Sequence, residues 1–529
     1  MGPDSMSGTG PALRYLKTRD GQPTSASQPP INQGVPLSSS LGSTGRIKRP
    51  LTKVARKILF ERELADQLNE DLPVICRVDL AHILMLAEQR IINPANAARL
   101  LRAIRRLMED DFRPLRERTS FRGLFLMYEN YLIETQGGEI GGLLQTARSR
   151  NDLNAAVFRV KLRAIFAQAA RSLLRCQATV ISRARKYAGT VMPAYTHGQP
   201  AEPITYGHYL SGVAQAMQRD IHFLLHAAAD IEASPLGAGA IAGTSVPINT
   251  LRTAHLLGFK RVVANSIDAV ASRDLALRVL AALSIAAITL SRAATDLLQW
   301  LADEFQFLVL PDELVGSSSL MPQKRNPFLL EHVQGRTASA MAAFTHGITA
   351  TRNVPFTNNI SVGTESLRPL ESAAGDIADA ATLLRLVIAG ATPVPARMLL
   401  RASQGFTNAS AVALRLVMES GTDFRSAHHQ VGAAISGAID CGMNSLHEFA
   451  QAHPETIPPR VADLGPVECV ANAKFGGGPA PEVLHMGLNC LRQSWLSHQR
   501  TIRAWAADWE QAEVNLFYSV NQFCREMLH

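Results

Sequence analysis

The stretch Leu314–Pro327, LVGSSSLMPQKRNP, interrupts a 529-residue chain that is otherwise written in long Ala/Leu/Arg segments. Three serines follow Gly316, and Lys324 and Asn326 stand two residues apart. Gly316 gives the backbone freedom to move. Asn326-Pro327 reads as an N-cap followed by proline at the first helical position, which places Glu331 in the first turns of a helix. A lysine beside the free N–H groups of a helix start makes an anion site. The bland reading, a Ser-rich linker, does not account for M-P-x-K-x-N abutting a helix start.

On either side of this stretch the apolar pattern is helical. Long segments are expected at about 153–188, 205–232, 268–305, 328–350 and 364–391. Helices of that length need neighbours to bury their apolar stripes. Strand signals are sparse, so the expectation is an all-α fold around a central bundle of long helices. Upstream, two helices meet at Asn93-Pro94, another N-cap and helix-starting proline. Residues 1–45 are rich in Ser, Gly and Pro and read as a disordered tail. An N-terminal helical domain is expected over 46–145, the bundle over 146–395, and a smaller C-terminal domain with shorter helices over 396–529.

Composition narrows the function. The apolar fraction is 47%, ample for a large core. The first fifty residues carry six Arg/Lys against two Asp, half of the net charge of +8. No nucleic-acid motif accompanies this basic balance, and small polycarboxylates suit a mildly basic cleft as well. No run of ~18 apolar residues suggests a membrane span. Neither a secretory signal nor an Arg-rich amphipathic transit pattern is visible. The six cysteines are scattered, without metal-ligand spacing, and read as free thiols in a reducing cytoplasm. No metal or organic cofactor is indicated.

Two further polar interruptions matter. In TARSRND (146–152), Arg148, Arg150, Asn151 and Asp152 cluster at a helix start. Arg and Asn there suit a carboxylate, although Asn151 or Asp152 capping the helix beside solvated arginines explains the same letters. In YTHGQPAEPI (195–204), Thr196, His197 and Gln199 share a loop. A lone loop histidine is commonly structural, but imidazole beside a carboxylate such as Glu331 can shuttle a proton.

Taken together, GSSSLMPQKRNP, TARSRND, MPAYTHGQPAEPITYGHYL, SPLGAGAIAGTSVPIN, NSIDAVASRD and GGGPAPEVL resemble, in order, the motifs of the fumarase/aspartase superfamily. Within it they are most similar to argininosuccinate lyase, over residues 55–490. The resemblance implies a homotetramer with a twenty-helix core and sites assembled from three chains. It implies β-elimination from an N-substituted aspartate with release of fumarate, or the reverse addition of an amine. Carried over by motif, Ser318 is the base, and Lys324 and Asn326 hold the carboxylate and its developing charge. Thr196 and His197 face them, with Glu331 paired to His197. Arg150 and Asn151 bind the succinyl carboxylates. Gln199, Ser319, Met321 and Gln323 line the substrate.

The amine side departs from the family. The family's D-x-H-x-x-x-E reads GLFLMYE here, so Gly123 and Phe125 replace Asp and His. Its H-T-G becomes Gln145-Thr146-Ala147. Its Y-N-K-D-x-Q segment has FTNNISVGT (356–364) as counterpart. Losing several charge-assisted contacts at ~1.5–3 kcal/mol each would nearly abolish recognition of argininosuccinate. The expected substrate is therefore a different N-substituted aspartate. A genuine argininosuccinate lyase and a non-catalytic structural homologue are the alternatives.

Overall fold

The computed structural model describes residues 46–47 and 49–527, and the expected tail over 1–45 lies outside them. Helices α1 (Leu64–Glu88), α2 (Pro94–Glu109) and α3 (Leu124–Gln136) come first. Asn93 caps α2 as expected, its Oδ1 accepting from the N–H groups of Ala95 and Asn96. The longest bundle helix, α4 (Arg150–Lys186), has 37 residues and so runs for about 55 Å at 1.5 Å per residue. It is followed by strands β1 (Val191–Thr196) and β2 (Gln199–Thr205), then α5 (Tyr206–Ala227). Next come α6 (Thr250–Leu256), α7 (Asp274–Leu301), α8 (Phe328–Thr351) and α9 (Leu370–Gly390).

Helices α4, α5, α7, α8 and α9 close one core, in which Phe166, Leu210, Leu283, Val333 and Leu384 are buried. Small residues let the helices approach closely. A Cβ on Gly207 would stand 2.4 Å from the Ala184 carbonyl oxygen, and one on Gly347 2.9 Å from Leu277 Cδ2. Side-chain contacts fix the directions. Arg183, near the end of α4, donates to the Ile388 carbonyl at the end of α9 (3.1 Å), so these two run parallel. Tyr209 near the start of α5 donates to Asp296 near the end of α7 (2.7 Å), and Gln334 near the start of α8 reaches Thr295 (3.0 Å). One end of the bundle therefore gathers the end of α4, the β-hairpin and the start of α8. The start of α4 and the start of α9 lie at the opposite end.

Three features differ from the reading of the sequence. The polar segment 193–204 is a hairpin rather than an open loop, because His197 (φ +53°) and Gly198 (φ +73°) form a two-residue turn with both φ positive, the geometry that matches strand twist. The segment 268–305 is broken: Asn265 caps a separate short helix over Ser266–Ala271 before α7 begins. Helices do shorten after residue 395, but the last one, α10 (Pro481–Glu526), has 46 residues. It returns along α4. Asn489 meets Arg185 (2.7 Å), the Trp495 indole donates to the Leu174 carbonyl (2.9 Å) and the Trp509 indole to Glu232 (2.9 Å). Residues from Leu51 onward pack as one compact unit. Among the described residues α7 alone could cross a bilayer by length and composition, yet it carries Asp274, Arg278, Arg292 and Asp296 and packs into the bundle core.

Candidate active site

At the start of α4, Ser149 is the cap, in place of Asn151 or Asp152. Its Oγ accepts from Asn151 N–H (3.3 Å), and the Asp152 carboxylate accepts from Ser149 N–H (2.9 Å), a capping box. The second Asp152 oxygen accepts from the N–H groups of Gly237 (3.2 Å) and Gly239 (3.0 Å). Both glycines have positive φ, and a Cβ at Gly237 would strike Thr250 Cγ2 at 2.4 Å. One buried carboxylate thus ties the 234–249 segment to the helix start. Burial raises the Asp152 carboxyl above its usual range, with these N–H donors opposing the rise.

Arg148 is buried rather than solvated. It pairs with the fully buried Asp79 of α1 at 2.6 Å and donates to the Leu144 carbonyl at 3.0 Å. His82, three residues along α1, is hydrogen-bonded through Nε2 to the Thr146 carbonyl (2.8 Å). Burial, with Arg148 adding to it, pushes His82 down to about 3, so its ring is neutral and Nε2 donates. Two α1 side chains therefore hold the segment leading into Arg150 and Asn151. The Asn151 amide donates to the Ala240 carbonyl (2.8 Å) and accepts from Asn358 Nδ2 (2.9 Å). Arg150 is exposed and has no hydrogen bond or ion pair among the described residues. Glu129 of α3 lies close enough to feel Arg150 and Arg148, while burial raises its carboxyl.

Ala147 sits in the left-handed region at φ +58°, where a Cβ costs about 1–2 kcal/mol and glycine is unstrained. Ala147→Gly is expected to raise stability by about 0.5–1 kcal/mol, after allowing for the greater freedom of glycine in the unfolded chain. A urea midpoint that falls would contradict this.

At the opposite end, Thr196, His197 and Gln199 are all exposed on the hairpin tip. Behind Gln199 a cavity of about 250 Å³ is lined by Tyr195, Phe305, Phe307, Arg397 and Arg401. The serine loop is closed at its base, where Gly316 N–H donates to the Asn326 carbonyl (2.8 Å) and Asn326 N–H to the Gly316 carbonyl (2.9 Å). That bridge corrects the expected cap: Asn326 is held extended, Pro327 takes the cap position and α8 starts at Phe328. Glu331 still falls in its first turn. The Ser318 hydroxyl oxygen accepts from Met321 N–H (3.0 Å) and Leu320 N–H (3.4 Å). Ser319, Met321, Gln323 and Lys324 are exposed, and Asn326 is half-buried.

Within one chain the site residues divide. Arg150 and Asn151 stand at the start of α4. His197, Ser318, Lys324, Asn326 and Glu331 stand at the other end, about 55 Å away along the helix. Among the described residues no hydrogen bond or ion pair joins His197 to Glu331, so the expected pair is not formed inside the chain. Asp79, His82, Glu129 and Asn358 were not singled out from sequence. The signal for the first two was present: Asp and His three apart inside the apolar run VDLAHILML. Among the described residues no group of three His, Cys, Asp or Glu side chains could hold a metal ion.

Comparison with known proteins identifies the family. A family described as lyase matches residues 94–342. An argininosuccinate lyase from Methanoculleus marisnigri is 36% identical over 456 residues, covering 82% of this chain and 89% of the relative. Argininosuccinate lyase 1 of Shouchella clausii is 32% identical over 469 residues, covering 86% and 94%. The chain belongs to the argininosuccinate lyase family. It is an argininosuccinate lyase-like carbon–nitrogen lyase, with the all-α fold of the fumarase/aspartase superfamily. A solved EDDS lyase in complex with formate superposes with a TM-score of 0.79 at 27% identity, covering 87% of this chain and 93% of that one. A class II fumarase from Schistosoma mansoni shares the fold, with a TM-score of 0.63 at 15% identity.

Proposed function

We propose that this family member catalyses β-elimination from an N-substituted aspartate other than argininosuccinate, releasing fumarate, in a site shared between copies of the chain. The surroundings of Ser318 carry this reading. A serine is a poor base unless its alkoxide is stabilised, and hydrogen bonds to the charged form do that. Its oxygen already accepts from two backbone N–H groups. Ser318 takes the proton beside a carboxylate, Lys324 and Asn326 hold the charge that develops there, and Arg150 with Asn151 holds the succinyl carboxylates. His197, set by Glu331 of another copy, and Thr196 serve the departing amine. Gln199, Ser319, Met321 and Gln323 line the substrate.

The altered amine side supports a different amine. Gly123 (φ +96°) lies against Phe60, Phe125 is buried on Tyr128, and Gln145 Oε1 is buried without a hydrogen-bond partner among the described residues. None offers the charge that a guanidinium needs. Another neighbour, an EDDS lyase variant, holds bound fumarate, the product proposed here.

Assembly into a homotetramer is supported by the outer face of the bundle. Ile285 and Ile288 of α7 are 44% and 48% exposed, and α8 presents Gly335, Ala338, Ser339 and Ala342 outward, a surface smooth enough for close helix packing. The free cysteines fit a cytoplasmic location. The test follows fumarate absorbance, with argininosuccinate in one arm and fumarate plus ammonia, amino acids and diamines in the other. Rapid release from argininosuccinate would overturn the substrate reading. Ser318→Ala should cut the rate by about 10²-fold or more; an unchanged rate would remove Ser318 as the base.

A further inference from the structure

Between α1, α4, α6 and α10 lies a cavity of about 510 Å³, within the range that holds a small organic ligand. It opens along the middle of α4, away from both groups of site residues. Four guanidinium groups line it, from Arg77, Arg163, Arg171 and Arg175, against the carboxylates of Glu510 and Glu513. Arg77 is already paired with Glu513. Arg163 is only 6% exposed; it gives its terminal nitrogens to the Leu257 and Gly258 carbonyls and stacks on Trp509 at 5.3 Å. The Nε groups of both Arg77 and Arg163 are buried without a hydrogen-bond partner among the described residues, a state that buried donors rarely tolerate. Arg171 and Arg175 stand one turn apart on α4, and their guanidinium groups make no hydrogen bond or ion pair among the described residues. Like charges at that spacing repel, and an anion between them turns the repulsion into a fork of donors. The remaining wall is apolar, including Val74, Val160, Leu256 and Leu516 beside the Trp509 indole.

We propose that this cavity is a second ligand site that takes a small organic anion, a carboxylate or phosphate carried on an apolar or planar body. The charged group lies between Arg171 and Arg175, and the body lies on Trp509 and the aliphatic wall. Isothermal titration calorimetry on the full chain, with saturating fumarate present to occupy the substrate site, tests this with three probes. Indole-3-acetate represents the carboxylate source, AMP the phosphate source, and inorganic phosphate an anion without a body. At least one organic probe is expected to bind with a Kd below about 1 mM, and inorganic phosphate more weakly. Arg171→Ala/Arg175→Ala is expected to weaken that binding about tenfold or more, with lyase rate and melting temperature no lower than in the parent. Three results would each overturn the proposal: no organic probe binding in that range, binding unchanged in the double variant, or inorganic phosphate binding as tightly as the organic probes.

Discussion

Asp79→Ala is expected to lower the unfolding free energy by about 3–5 kcal/mol, because it leaves the Arg148 guanidinium buried with no counter-charge. The pair is 2.6 Å apart with side chains 1% and 0% exposed, so water cannot replace the lost partner. Burial raises the Asp79 carboxyl above its ordinary range and Arg148 opposes that rise; removing either group leaves the other uncompensated. Replacing both, as Asp79→Leu/Arg148→Met, should recover much of the stability, since apolar groups of similar volume remove the desolvation cost. Activity should not recover with it. Arg148, two residues before Arg150, also holds the Leu144 carbonyl on the same pinned segment, so the double variant should show a raised KM with a smaller change in kcat. Urea midpoints at constant slope check the first half of this prediction, and steady-state kinetics the second. A single variant as stable as the parent would show that the pair does not hold the turn.

The same cluster carries a pH dependence. His82 is pushed from 6.5 down to about 3, so it is neutral in the folded chain while the unfolded chain takes up a proton below 6.5. The unfolded state binds more protons in that window, and stability falls as pH drops through it, by at most about 1.4 kcal/mol per pH unit from this group. His82→Gln should flatten the stability profile between pH 6.5 and 4, at some cost at neutral pH through the altered bond to Thr146. An unchanged acid limb would assign the loss to other groups.

Much of the bundle was legible because its pattern is local. Ala and Leu at helical spacing, with charges on the outer face, reveal a long helix wherever they stand, and α8 spans Phe328–Thr351 where 328–350 was expected. The hairpin was harder to read. Val191–Thr205 contains three prolines and little alternation, so its strand character rests on the His197-Gly198 turn that pairs its two halves with each other. Helix α10 was obscured because its buried residues, Leu484, Leu488, Leu491, Ile502, Leu516 and Val520, form a thin stripe with a wide gap. Such a stripe records packing against α4 and α2 rather than a helix with a core of its own. At the candidate site the residues proposed to carry the chemistry were read by motif, since the proposed reaction dictates their types. The supporting Asp79 and His82 sit about 70 residues upstream of Arg148 and Thr146, and only the fold shows that they meet. Asn326 failed as a cap for a related reason: its backbone is claimed by Gly316, a contact that capping rules do not anticipate.

Mixing two inactive variants should restore activity. On the roles proposed above, Arg150→Ala lacks the succinyl contact and Ser318→Ala lacks the base, and each alone is expected to lose at least about 10²-fold in kcat/KM. In one chain these positions lie at opposite ends of a 37-residue helix, about 55 Å apart, while an N-substituted aspartate is only a few bond lengths across. No single chain can present both to one substrate. If both serve one site as proposed, that site takes Arg150 from one copy and Ser318 from another. After unfolding and refolding an equal mixture, each position is intact with a chance of one half, so about a quarter of the sites carry both groups. Activity near a quarter of the parent, appearing only after co-refolding and not on simple mixing of folded samples, is the expected result. Light scattering on the same samples should show an oligomer. If the co-refolded mixture stays as inactive as either variant, Arg150 and Ser318 serve no common site. A fully active monomer would show that one chain brings its two ends together by a rearrangement of the bundle, which the parallel run of α4 and α9 and their shared core oppose.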